Sequence, residues 1–166
     1  MRDKQATQAL NDLKSAIEAE AGLPAIYSLA ERAAQEAIGH KLFTIMAFHA
    51  GSVEVERLYS SNPDAYPPGG RKQKRDTAWG RLVLDRGAPF IGSNARDIRE
   101  NFNDHDVILG LGLESVLNVP IKRDDRTLGT LNLLHERDYY KMRHLGPAME
   151  IAKLLSNVLR SDTEQA

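Results

Sequence analysis

Two asparagines set inside apolar runs are the side chains best placed to hold a ligand. Asn118 interrupts the run Val116 to Ile121, and Asn132 interrupts Leu128 to Leu134. If both runs are strands, alternate residues share a face. Asn118 then lies with Val116, and Asn132 with Thr130 and Leu134, while Leu117, Val119, Leu131 and Leu133 point the other way. Each strand has one wholly apolar face and one face carrying an amide, the pattern of a sheet covered on both sides. A covered amide needs a hydrogen-bond partner, whether protein, water or ligand. The two amides could orient a ligand through their donors and acceptors, or bond each other across a hairpin.

Other candidates are fewer. Trp79, the only tryptophan, could stack on a ligand or plug a cavity as a packing residue. The cations Arg71, Lys72, Lys74 and Arg75 could draw in an anion or stand as a solvated loop. As a nucleic-acid surface the cluster is poor, lacking interleaved aromatics in a chain whose net charge is only -1. Binding to anionic membrane has no supporting charge either. The absence of cysteine removes disulfides, thiolate metal sites and cysteine nucleophiles together. His40, His49, His105, His135 and His144 form no close metal-ligand pair, and His105 between Asp104 and Asp106 reads as a helix start. Gly110-Leu111-Gly112 is no phosphate loop, for no Lys-Ser or Lys-Thr follows it. No nucleophile and base stand next to each other, and no catalytic residue, metal or cofactor is assigned.

The elements that carry these residues follow from periodicity. Arg2 to Ala21 reads as a helix with the thin stripe Leu10, Leu13, Ile17, which has no evident cover within one domain. A second helix, Pro24 to Ile38, buries Ile26, Leu29, Ala30, Ala33, Ala34 and Ala37 and stops at Gly39. Leu42 to Phe48 is apolar on both alternations, as a central strand is. Val53 to Ser60 reads as a strand nearer an edge, with Val55, Arg57 and Tyr59 on one face. Ser61 to Asp76 is a long loop. Thr77 to Arg86 is a short helix capped by Asp76 or Thr77 and ended by Gly87. A short strand at Pro89 to Ile91 and helical pieces at Ala95 to Phe102 and Asp106 to Leu113 come next, Asp104 capping the second piece. The two apolar runs then form a β-hairpin around Asp124-Asp125. Tyr140 to Arg160 is a long final helix, and Ser161 to Ala166 a frayed tail.

With 166 residues, 42% hydrophobic and 27% charged, the chain fits one globular domain that buries about 70% of its unfolded surface. No apolar run approaches the roughly 20 residues of a membrane span, and the first residues lack the apolar centre of a secretory signal, so a cytoplasmic protein is expected.

The element order, with Trp79-Gly80, then Asp85 to Ile91, then Ser115 to Ile121, then Leu128 to Leu133, resembles a GAF domain from about Pro24 to Leu159. The resemblance implies an α+β fold: an antiparallel sheet of about six strands, terminal helices on one face, and a pocket roofed by loops and short helices on the other. It places Asn118 and Asn132 on the pocket face, with Tyr59, Trp79 and Arg57 around them. Residues 1–22 would be a helix contacting a second copy, 23–160 the GAF-like domain and 161–166 the tail. The function implied is reversible, sensory binding of a small polar ligand, tilted toward an anion by Arg57 and the basic loop. An enzyme acting on a small metabolite in the same pocket and a dimerisation module without ligand are the alternatives. Bilin attachment through cysteine and cysteine-dependent methionine sulfoxide reduction are both excluded.

Overall fold

A computed structural model describes residues 4–159, so the tail at 161–166 lies outside the described residues. Two helices come first, α1 (Lys4–Glu18) and α2 (Leu23–Ala37), then β1 (Leu42–His49) and β2 (Glu54–Ser60). The region read as a long loop contains a short edge strand, β3 (Arg71–Gln73), paired with β2. After a π-helical segment at Gly80–Asp85 come β4 (Phe90–Gly92), α3 (Ala95–Asn101), α4 (His105–Gly110), β5 (Ser115–Arg123), β6 (Arg126–His135) and α5 (Leu145–Leu155). The sheet is six-stranded and antiparallel in the order β3-β2-β1-β6-β5-β4.

The hairpin is tighter than its apolar runs indicate. Its strands extend to Arg123 and Arg126, leaving Asp124-Asp125 as the turn, with Asp124 at φ 57°. Aspartate tolerates that left-handed geometry better than most residues. The final helix is shorter than read: Tyr140 precedes a 3-10 turn at Met142–His144, and only then does α5 begin.

One face of the sheet, through Phe43, Ile45, Leu117, Val119, Leu131 and Leu133, packs under α1, α2 and α5. A smaller apolar cluster on the other face joins Leu42, Val116 and Leu134 to Ile98 of α3 and Ile108 of α4. Leu10 and Leu13 of α1 are buried in the larger core and Ile17 packs against it. The chain covers its own stripe, because α1 lies along α2 and touches α5, so that stripe gives no reason for a dimer.

A cluster of rings joins β6 to α5. Tyr139 stacks on His135 with centroids 3.6 Å apart and faces His144 at 5.7 Å, while its hydroxyl donates to the Ile38 carbonyl. His135 Nδ1 accepts the Glu136 N–H and His144 Nδ1 the Lys141 N–H, roles open only to an unprotonated ring nitrogen. Burial lowers both imidazoles from 6.5, aided by Arg143 and Lys141 at His144, and at His135 by Lys41 against the opposing Glu136. With the folded pKa depressed, this contribution to stability is complete above about 6.5 and is lost as pH falls, because the unfolded chain takes up the protons first. Melting temperature should therefore drop between about pH 7 and pH 5, and drop less in a His135→Gln, His144→Gln variant. Equal drops in the two proteins would contradict the assignment.

Candidate functional site

On the face away from α1, α2 and α5, the sheet, the π-helical segment, α3 and α4 line a half-open cavity of about 440 Å³. Its floor is a polar row set by strand register. Thr44 of β1 lies opposite Asn132 of β6, which lies opposite Asn118 of β5. Trp79 Nε1 donates to Asn118 Oδ1 at 3.0 Å, Asn118 Nδ2 to Asn132 Oδ1 at 2.7 Å, and Asn132 Nδ2 to Thr44 Oγ1 at 3.0 Å. The amides thus bond each other, and both line the cavity.

Trp79 is positioned by the turn before it and the winding after it. Thr77 Oγ1 caps the start by accepting the Gly80 N–H, and Arg86 N–H reaches back to the Arg81 carbonyl five residues earlier. A π-helical stretch is uncommon and concentrates at functional sites. Phe102, at the end of α3, brings its ring to 5.6 Å from that of Trp79, and the two make an aromatic wall.

Arg57 lines the cavity but is heavily engaged. Its guanidinium lies 3.6 Å over the Tyr66 ring, donates to the Pro67 carbonyl at 2.8 Å and sits 3.7 Å from Asp104 Oδ2. The Tyr66 hydroxyl donates to the same carboxylate, and burial pushes its pKa up, with Asp104 adding to the rise. Asp104 occupies the cap position of α4 without capping it. Its side chain instead latches the long loop to β2.

Tyr59 is elsewhere. A bulge at Leu58 pairs Ile45 with Tyr59 but Met46 with Arg57, so Arg57 and Tyr59 face opposite sides of the sheet. Tyr59 lies under α2, where its hydroxyl donates to Glu31 Oε1 at 2.5 Å, and burial followed by Glu31 pushes its pKa up to about 12. Four of the five expected residues, Arg57, Trp79, Asn118 and Asn132, line the cavity, and Tyr59 does not. The error comes from counting a strand as if its alternation were unbroken.

The basic run is divided. Arg71 pairs with Glu54 and Glu56 across the sheet edge, and Lys74 with Asp85 at 3.3 Å. Lys72 and Arg75 line the cavity, as Arg99 does from α3. The charged residues of the lining are Arg57, Lys72, Lys74, Arg75 and Arg99 with Glu100 and Asp104, Lys74 being paired with Asp85 outside it. His40 and His49 sit by Glu31 and Glu56 outside the cavity. Among the described residues, no group of His, Asp and Glu is arranged to hold a metal ion.

Sequence reasoning missed Thr44, Tyr66, Phe102 and Asp104 as parts of the cavity wall. Thr44 left a signal, the one hydroxyl within the apolar strand Leu42 to Phe48. Tyr66 left a weaker one, an aromatic among the prolines and glycines of a loop.

The chain trace is similar to that of the GAF domain of a phosphoenolpyruvate-protein phosphotransferase from Acinetobacter. The two are 14% identical over 95% of this chain and 93% of that one, with a TM-score of 0.73. A phycocyanobilin-bound GAF domain from a cyanobacterial phytochrome is 17% identical over 93% of each chain, at TM-score 0.71. The GAF domain of a two-component sensor histidine kinase from Bacillus halodurans is 14% identical over 83% of this chain and 93% of that one, at 0.69. No family model matches the sequence, and no curated protein matches it. At these identities the likeness is one of fold. The chain has the GAF fold, an antiparallel six-stranded sheet with helices, as the resemblance of its motifs implies. No helix among the described residues is long and apolar enough to cross a membrane.

Proposed function

We propose that the protein is a sensory GAF-type domain that reversibly binds a small anionic ligand in this cavity. The observation that carries the reading is the lining: an aromatic wall of Trp79 and Phe102, a hydrogen-bonded polar floor, and the cations Lys72, Arg75 and Arg99 beside Arg57 and Lys74, which are paired with Asp104 and Asp85. A volume of about 440 Å³ lies in the range of small-molecule pockets, roughly 300 to 1,000 Å³, and favours a compact ligand with an apolar body. The neighbour bound to phycocyanobilin supports the use of this fold for holding a small molecule. No cysteine is present for attachment of a ligand through sulfur, which supports reversible binding.

Trp79 is the only tryptophan and lines the cavity, so its fluorescence reports occupancy directly. Titration with 8-anilinonaphthalene-1-sulfonate, an aromatic anion, should quench Trp79 saturably. The uncharged N-phenyl-1-naphthylamine should do so more weakly. Failure of the anion to quench, or a preference for the neutral dye, would overturn the reading. Homodimerisation through the terminal helices belongs to the same proposal on a footing other than the α1 stripe, namely Met142 and Met149, which are 73% and 51% exposed. Light scattering that returned a monomer mass would remove that part.

A further inference from the structure

The Trp79 indole N–H can only donate, so the atom it meets on Asn118 must be the oxygen. The next contact is then fixed, with Asn118 Nδ2 donating to Asn132 Oδ1, and so is the last, with Asn132 Nδ2 donating to Thr44 Oγ1. The three bonds run in one direction, and one indole sets the orientation of two amides. At the far end Thr44 accepts, and its own hydroxyl hydrogen has no acceptor among the described residues. Thr44 is 3% exposed and lines the cavity. A hydroxyl so placed keeps a hydrogen to give.

Strand order sets what surrounds it. The cavity floor runs from β3 and β2, which bring Lys72 and Arg57, through Thr44 on β1 and Asn132 on β6 to Asn118 on β5, where Trp79 is bonded. Met46, two residues beyond Thr44 on the same strand face, is the register partner of Arg57. Thr44 thus lies between Arg57 of β2, which already carries the Tyr66 ring and Asp104, and Asn118 of β5, to which Trp79 is bonded.

Resting on the anion-binding reading above, we infer that Thr44 is a specificity-determining residue. Its hydroxyl donates to an anionic oxygen of the ligand, carboxylate, sulfonate or phosphoryl, while the ligand's ring lies toward Trp79 and Phe102. Trp79 is in addition a positioning residue. Without its N–H both amides can turn over together, Asn132 then presents its oxygen to Thr44, and the threonine hydrogen is spent inside the protein.

Calorimetric titrations of 8-anilinonaphthalene-1-sulfonate and of N-phenyl-1-naphthylamine, its analogue without the sulfonate, test this on the wild type and three variants. Thr44→Val should weaken the anion about tenfold, the loss of one hydrogen bond to a charged group, and leave the neutral dye within about twofold. Thr44→Ser should restore the anion to within about twofold. Trp79→Phe, which keeps a ring but loses the donor, should lower the preference for anion over neutral dye in the same direction as Thr44→Val. Equal weakening of both dyes by Thr44→Val would mark a purely structural threonine, and unchanged anion affinity would remove it from the site. Either result overturns the inference while leaving the cavity a binding site. A wild type that binds no anion overturns the functional reading itself.

Discussion

Asn132→Leu is expected to destabilise the ligand-free protein by about 1 to 3 kcal/mol, the usual cost of stranding buried polar groups. Asn132 is the middle member of the floor, accepting from Asn118 and donating to Thr44. Leucine removes both links at once. Asn118, 2% exposed, keeps its bond from Trp79 but loses the acceptor for its amide hydrogen. Thr44 loses its donor. Had the amides served only a ligand, the same substitution would leave the ligand-free protein as stable as before, or more so, since an apolar residue on a covered face needs no partner. Chemical denaturation of the two proteins without added ligand separates the cases, and an unchanged or higher midpoint would refute the hydrogen-bonded floor. The double variant Asn118→Leu, Asn132→Leu should not recover the loss, because it relieves the Asn118 amide only by stranding the Trp79 N–H.

Gly129→Ala is expected to cost about 3 kcal/mol or more, at or beyond the upper end of overpacking penalties. Gly129 pairs with Ala47 of β1 and with Ile121 of β5. A Cβ there would collide with the Met46 carbonyl oxygen and crowd Leu159. The oxygen belongs to backbone at the centre of the sheet and cannot swing aside as a side chain can, so β1 and β6 would have to part. Against a total stability of roughly 5 to 15 kcal/mol this is a large fraction. A urea midpoint within error of the wild type would show that the strands yield at little cost. Gly39 differs, since its φ of 103° already favours glycine, and a side chain there would also strike the Tyr139 hydroxyl.

Most of the architecture was legible because periodicity and punctuation agree along the chain. The apolar alternations of Leu42 to Phe48 and of both hairpin arms place β1, β5 and β6, and Thr77, Gly87 and Asp104 stand at the ends of their helical segments. Asn118 and Asn132 were found because a polar residue in an apolar run breaks a pattern. What escaped depends on contacts between distant segments. The bulge at Leu58 is set by pairing with β1 and has no marker in its own residues, so Tyr59 was put on the wrong face. The stripe of α1 looked bare because its cover comes from α2 and α5. β3 is three residues long and exists because β2 offers it an edge. Phe102 reads as a helix end and becomes a cavity wall only through its approach to Trp79.

The strand order carries a consequence for how the chain folds. β1 and β6 are neighbours at the centre of the sheet, yet β1 ends at His49 and β6 begins at Arg126, and the whole cavity roof is strung between them. During synthesis β1 and β2 can zip together early, but the other edge of β1 must wait for the last hairpin to emerge. That edge bears Leu42 to Phe48, an uncharged and strongly β-forming stretch of the kind that pairs with other chains when left open. A topology so dominated by distant contacts folds slowly for its size. The interval before β6 arrives is when this protein is most exposed to aggregation, and crowding by nascent copies or a rise in temperature should tell most on its yield then, before the native state has formed.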